Sequence, residues 1–229
     1  MSRGEESVKT FSSRPRKLHE VEEYLGVEGL KIQVEPFPLG MYRYVWRLSW
    51  DPNKRPLLVV GLMPSTADDK HADATVAKLI AIANNRHPEV EATTGFGELV
   101  VMNMFARRPM PNHKRAAADL DFVEAVGDND AWISREARKV RRRRGTVAIA
   151  WGGDGWSRHG KVLSLLGGEV WCLGMTKPLT KPASGGRGFP LSTSRSRVAE
   201  AAKLVPYLDS ASAQRLKSRK RKEDTARGS

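Results

Sequence analysis

The sequence is poor in the residues that staple, anchor or metallate a chain. Its single cysteine, Cys172, excludes an internal disulfide and a cysteine-built zinc site. The five histidines (His19, His71, His87, His113, His159) fall at no metal-ligand spacing, and no Ser-His-Asp arrangement is recognisable. No metal and no cofactor are therefore expected. No apolar run approaches the ~18 residues of a membrane span. The first residues are polar, so no secretory signal is expected and a cytoplasmic location is the default. Acidic residues are also scarce, 26 against 39 Lys and Arg, leaving a formal net charge of +13. Such a balance favours a polyanionic partner, most simply nucleic acid, and the partner expected for this chain is DNA, double- or single-stranded. The charge is clustered as well. Arg215 to Arg227 holds seven Lys and Arg, and Arg138, Lys139 and Arg141 to Arg144 form a second block.

What the chain does contain is strands that end in polar loops. Residues 1–21 are polar and basic and read as a disordered segment. A single domain is expected over 22–208, followed by a basic tail over 209–229. Val21 to Val27 reads as a short helix closed by Gly26. In Met41 to Trp50, Tyr42, Tyr44, Trp46 and Leu48 alternate with Arg43, Val45, Arg47 and Ser49. That period of two predicts a half-buried strand. Asp51 to Lys54 is a turn, and Leu57 to Gly61 is the next strand, expected to pair with the first as a hairpin. Further strands are expected at Leu99–Met102, Thr146–Ala150 and Glu169–Leu173. Helices are expected at Asp73–Asn84 (capped by Asp73), from Asp128 through Val140, at Gly160–Leu166 and at Ser194–Leu208. Asp119 to Val126 is apolar-periodic. Strands alternating with helices argue for an α/β fold with parallel strands.

Four strand-end loops carry the candidate chemistry, because ligands of open α/β sheets bind at the carboxyl ends of strands. The first is Gly61 to Asp68, G-L-M-P-S-T-A-D, which brings Met63, Pro64, Ser65 and Asp68 after an apolar strand. It fits a ligand loop with a carboxylate for proton transfer or water, and equally a turn and helix cap. The second is Asn103, whose amide offers one donor and one acceptor in a plane suited to a base edge, or simply ends a strand. The third is Trp151-Gly152-Gly153-Asp154-Gly155, which lets backbone approach a phosphate or makes a tight βα turn. It is neither a P-loop nor a dinucleotide motif. The fourth is Gly174 to Phe189, where Lys177, Lys181 and Arg187 sit on a Pro- and Gly-rich loop, long enough to suggest function.

These residues resemble an uncharacterised domain family common in bacteria and phages. The shared motifs are Tyr42-Arg43-Tyr44, Trp50-Asp51-Pro52, Pro64-Ser65-Thr66-Ala67-Asp68, Asp73-Ala74-Thr75, Asn103 to Arg108, Gly127-Asp128-Asn129-Asp130, Ala150-Trp151-Gly152 and Cys172 to Lys177. The resemblance covers Tyr42 to about Leu191. A more distant likeness is to the uracil-DNA glycosylase superfamily. Its G-x-[D/N]-P, base-reading Asn, W-G and H-P-S-P elements correspond in order to Gly61–Pro64, Asn103, Trp151-Gly152 and Lys181-Pro182-Ala183-Ser184.

That likeness implies a three-layer α/β sandwich with a central, mostly parallel sheet and one antiparallel N-terminal hairpin. It implies a DNA-base glycosylase, acting on a damaged or modified base (for a phage-related family, a hypermodified one) in the nucleoid or in a phage-infected cell. Met63, Pro64, Ser65, Asn103 and Phe105 would hold the base. Arg107, Arg108, Trp151, Gly152, Lys177 and Arg187 would meet the nucleic-acid backbone. Met63 stands where the superfamily has its water-positioning Asp or Asn, which directs attention to Asp68. The final loop lacks the histidine, so Lys177 or Lys181 would supply positive charge, with Phe189-Pro190-Leu191 as another register. A lysine there also permits a Schiff-base variant. The rival readings are a nucleic-acid-binding protein without catalysis and an enzyme of free nucleotides.

Overall fold

The computed structural model describes residues 14–84, 95–108, 126–174 and 204–207. The chain opens with a two-residue strand β1 (Arg16–Lys17) and helix α1 (Leu18–Leu25). Glu20 caps this helix by accepting from the Lys17 backbone N–H, and Gly26 ends it at φ 71°. The helix thus begins before the expected Val21, and ordered structure reaches into the segment assigned to a disordered arm. There follow β2 (Ile32–Glu35), β3 (Val45–Ser49), β4 (Pro56–Gly61), β5 (His71–Ala72), α2 (Ala74–Ala83) and β6 (Glu98–Asn103). Next come α3 (Asn129–Arg142), β7 (Thr146–Ile149), a 3₁₀ turn (Gly153–Arg158), α4 (His159–Leu166), β8 (Trp171–Cys172) and β9 (Val205–Pro206). No described helix is long and apolar enough to cross a membrane.

Among the described residues seven strands form one mixed sheet in the order β2-β3-β6-β4-β7-β8-β9. The central β6, β4, β7 and β8 are parallel, while β2–β3, β3–β6 and β8–β9 pair antiparallel. The sheet is therefore mixed, less parallel than the strand–helix alternation suggests. β4 reads Pro-Leu-Leu-Val-Val without alternation because both of its faces are covered. Leu57, Val59, Leu99 and Val101 point into one apolar layer with Val21, Leu25, Val76 and Ile80 of α1 and α2. Leu58, Val60, Val100 and Met102 point into a second with Ile133, Ala137, Val162 and Leu166 of α3 and α4. Each such buried Val or Leu contributes ~1.5–3 kcal/mol relative to exposure.

Three expectations are corrected. β3 and β4 do not form a hairpin: β6 lies between them, and β3 pairs with β2 on its other side. The cause is Gly97. Its carbonyl accepts from Trp50 and Asp51 N–H, at 2.8 and 3.0 Å, and a Cβ there would meet Asp51 O at 2.0 Å. Only a glycine lets β6 start in that slot. Asp128 occupies the N-cap of α3 but its side chain makes no capping bond. Val205–Pro206, expected within a helix, is a strand against β8. The rest of the expected helix over Ser194–Leu208, apart from residues 204 and 207, lies outside the described residues, as does 119–125.

Candidate functional site

The order β6-β4-β7 puts the first parallel strand between the next two. Helix α2, which follows β4, packs on one face, while α3 and α4, which come after β6 and β7 in the sequence, pack on the other. Connections departing to opposite faces open a crevice at the carboxyl end of β4. Gly61 pairs with Asn103 in register, and Ala150 N–H donates to Val60 O at 2.8 Å, so three strand ends finish level. A cleft of about 240 Å³ lies there, lined by Gly61 to Ser65, Asn103, Ala150, Arg43, Val59, Val101, and Thr75 and Leu79 of α2. That is smaller than a drug-sized pocket of ~300–1,000 Å³.

Besides the hydroxyls of Ser65 and Thr75, two lining side chains carry its polarity. Asn103 is buried, and its amide satisfies its surroundings when Nδ2 donates to Met63 O at 2.8 Å and Met102 O at 3.3 Å. A Cβ on Gly61 would come within 2.9 Å of that amide, so glycine at 61 leaves room for it. Behind it, Asn129 Nδ2 donates to Asn103 O at 2.7 Å and Met104 O at 2.9 Å. Arg158 donates to Met104 O and pairs with Asp130. The G-D-N-D motif is thus a lock on the backbone that carries Asn103.

The second is Arg43, only 1% exposed. Its Nη1 donates to Ala67 O at 2.7 Å and Ser65 O at 3.3 Å, and its Nη2 to Ser65 Oγ at 3.5 Å. Its Nε is buried without a partner, and among the described residues no carboxylate is in ion-pair contact with the guanidinium. Burial lowers its pKa to about 10, more than the charges of Asp73 and Asp68 restore; Arg108 adds to the lowering. The cleft therefore holds a desolvated cation that is still charged at neutral pH.

Of the residues expected from sequence, Met63, Pro64, Ser65 and Asn103 come together in the cleft. Asp68 is not among its lining residues. Its Oδ1 accepts from Lys70 N–H at 2.9 Å and His71 N–H at 2.8 Å, with His71 Nδ1 at 3.1 Å. Burial would raise its pKa, but these donors together lower it. The carboxylate shapes the turn before α2. Phe105 sits in the apolar layer on the opposite face, with the Arg158 guanidinium 5.6 Å from its ring, and cannot stack beneath a base in this cleft. Trp151 is buried in the same layer, edge-on to His159 at 5.5 Å, so it has no surface to offer a phosphate. Gly152 takes φ 73° in the turn beyond it. Arg107 and Arg108 are half-buried at the same end, where Arg107 bridges Tyr42 and Arg108 N–H donates to Met41 O at 2.8 Å. Lys177, Lys181 and Arg187 lie outside the described residues. Among those described, no three His, Cys, Asp or Glu gather in a way that could hold a metal ion.

Sequence reasoning missed Arg43 and Thr75 as site residues. Both stand in motifs, Y-R-Y and D-A-T, that carried the signal. Asp73 of D-A-T caps α2 by accepting from Val76 N–H at 2.9 Å and from Thr66 Oγ1 at 3.3 Å, which sets Thr75 at the cleft. In comparison with known proteins, no curated protein and no solved structure matches. One family model, described as a protein of unknown function (DUF1643), matches residues 43–181. The match starts at Arg43, takes in every strand end that builds the cleft and covers more than half of the sequence; the chain belongs to the DUF1643 family.

Proposed function

We propose that the cleft receives a single nucleobase turned out of a DNA strand, and that the protein is a DNA-base glycosylase acting on a damaged or modified base. The observation that carries this reading is the pairing of a fixed amide, Asn103, with a buried cation, Arg43, in one base-sized cleft at the switch point of the sheet. The helices on both faces of that sheet support a uracil-DNA glycosylase-like three-layer layout.

In this reading the extruded base lies against Pro64 and Leu79, with its polar edge at Asn103. The N-glycosidic bond breaks through an oxocarbenium-like state, and its electron pair leaves with the base. Arg43 stabilises that negative charge, and its desolvation strengthens the effect. Water then adds to the sugar C1′ and loses a proton to solvent or to the departing base. Met63 cannot orient this water; the hydroxyls of Ser65 and Thr75, which also line the cleft, can.

The test is incubation with oligonucleotides carrying uracil, other lesions and phage-type modified bases, followed by alkaline cleavage. Abasic sites are expected on at least one substrate, with Asn103→Ala slowing their formation by at least 100-fold. No abasic site on any substrate would sink the glycosylase. Tight, salt-sensitive binding in that case would favour the second reading, a base-reading protein without hydrolysis. The specific observation for it is that Met63 lines the cleft and that, among the described residues, no carboxylate does.

A further inference from the structure

Among the described residues three large apolar side chains stand exposed, and two of them share one short loop: Phe37 at 71% and Met41 at 45%. The loop, Pro36-Phe37-Pro38-Leu39-Gly40-Met41, joins β2 to β3. Because β3 is antiparallel to β6, its first residue, Val45, lies level with the carboxyl end of β6. The loop is thus at the end of the sheet where the cleft opens. It is tied down there on both sides. Tyr44 N–H donates to Glu35 O at 2.7 Å, Arg43 N–H to Ala106 O at 2.9 Å, and Arg108 N–H to Met41 O at 2.8 Å. Two prolines restrict its backbone further. Two residues beyond Met41 the same segment delivers Arg43 to the cleft.

A stiff apolar tip beside Arg107 and Arg108, on a chain of net charge +13, is the combination with which proteins enter base steps. We propose that this loop is a wedge for duplex DNA. Phe37 inserts into the stack beside the nucleotide whose base occupies the cleft, and Arg108 meets the adjoining phosphate. The proposal rests on the reading that the cleft takes an extruded base, and adds to it the partner surface and the residue that fills the gap. Filling that gap removes the incentive for the base to return.

The experiment uses the full-length protein and a duplex with one tetrahydrofuran abasic residue flanked by 2-aminopurine. Such a duplex offers the gap without requiring any particular base. The wild type is expected to bind it at least tenfold more tightly than the intact duplex and to raise the 2-aminopurine fluorescence on binding. Phe37→Ala should lose at least fivefold of that preference and most of the fluorescence rise, with unchanged thermal melting and unchanged affinity for intact duplex. Phe37→Trp should restore both. If Phe37→Ala keeps the wild-type preference and signal, the wedge is wrong while the cleft reading stands. If the wild type binds neither duplex, both fail. If Phe37→Ala instead abolishes self-association in sedimentation, or binding to anionic vesicles, with DNA binding unchanged, the loop serves a second copy or a membrane and the proposal is overturned.

Discussion

Arg43 is kept charged in a place that disfavours charge. Its pKa is lowered to about 10, so above about pH 10 the folded state binds fewer protons than the unfolded one. Below that pH the buried charge opposes folding, by on the order of 3 kcal/mol. Hydrogen bonds to Ser65 and Ala67 offset it. A cation retained on those terms is better explained by a ligand than by stability. Arg43→Met should therefore lower affinity for a base-bearing oligonucleotide by tenfold or more while Tm moves only a few degrees. A fall in Tm of more than about 10 °C would make Arg43 a strut for the loop. The residue was illegible in sequence because the alternation of Met41 to Trp50 assigned it to the solvent side with Val45 and Arg47. In fact the strand starts at Val45, Val45 and Trp46 are both buried, and the preceding residues form a separate bridge to β6's exit. Asn103 was legible because it ends an apolar run and strand ends are where such sheets bind. Its neighbour Gly61 gives a second test. Gly61→Ala would drive a Cβ to within 2.9 Å of the Asn103 amide. Overpacking of that kind costs ~1–3 kcal/mol, and here the amide must turn aside. Catalysis or base binding should fall further than melting stability accounts for, and equal losses would show that the amide's orientation is immaterial.

At the scale of elements, existence and type were legible for the central strands and the helices beside them, but not for β2, which no expectation covered, nor for β9, expected as helix. The apolar run of β4, the spacing of Val76, Leu79 and Ile80 in α2 and the cap at Asp73 follow from local chemistry. Pairing was not legible, because it depends on where backbones approach closely. Gly97 is one such approach, and a lone glycine before a strand carries no sign of the chain it will touch. The same holds for the network that fastens α3 to the sheet. Arg47 of β3 bonds Glu98 of β6 at 2.6 Å and also pairs with Glu136 of α3. Lys139 bonds Glu136 at 2.8 Å, and Arg143 pairs with Glu98. Burial alone would raise the Glu136 pKa, but Lys139 and Arg47 together bring it below its ordinary value. Its contribution to stability is thus present above the ordinary carboxylate pKa of ~4.3, and is lost as pH falls through the lowered value. Glu136→Gln should melt below the wild type at pH 7, and the two Tm curves should converge as pH falls below about 4.3. Parallel curves over that range would remove Glu136 from the acid limb.

At the scale of the whole molecule, the count of charges was legible in the sequence and their placement was not. The block Arg138 to Arg144 looked like a nucleic-acid patch. It ends α3 just before β7 begins, so it lies at the amino ends of the parallel strands, opposite the cleft. Much of it is already occupied. Arg141 caps the end of α4 by donating to Leu166 O at 3.3 Å, and it reaches Glu169 O at 2.7 Å, while Lys139 and Arg143 hold Glu136 and Glu98. Arg107 and Arg108, only two residues of charge, stand at the cleft end instead. If DNA is bound at the cleft, these two groups must differ in how binding responds to salt. Taking away one phosphate partner reduces the slope of log affinity against log salt by about 0.9. Replacing Arg138, Arg142 and Arg144 together by Gln should leave the slope within error of the wild type, although it removes three charges. Replacing Arg107 and Arg108 by Gln should flatten it by about 1 to 2. The reverse result, a slope carried by the α3 block, would move the DNA to the far end of the sheet and separate it from the cleft altogether.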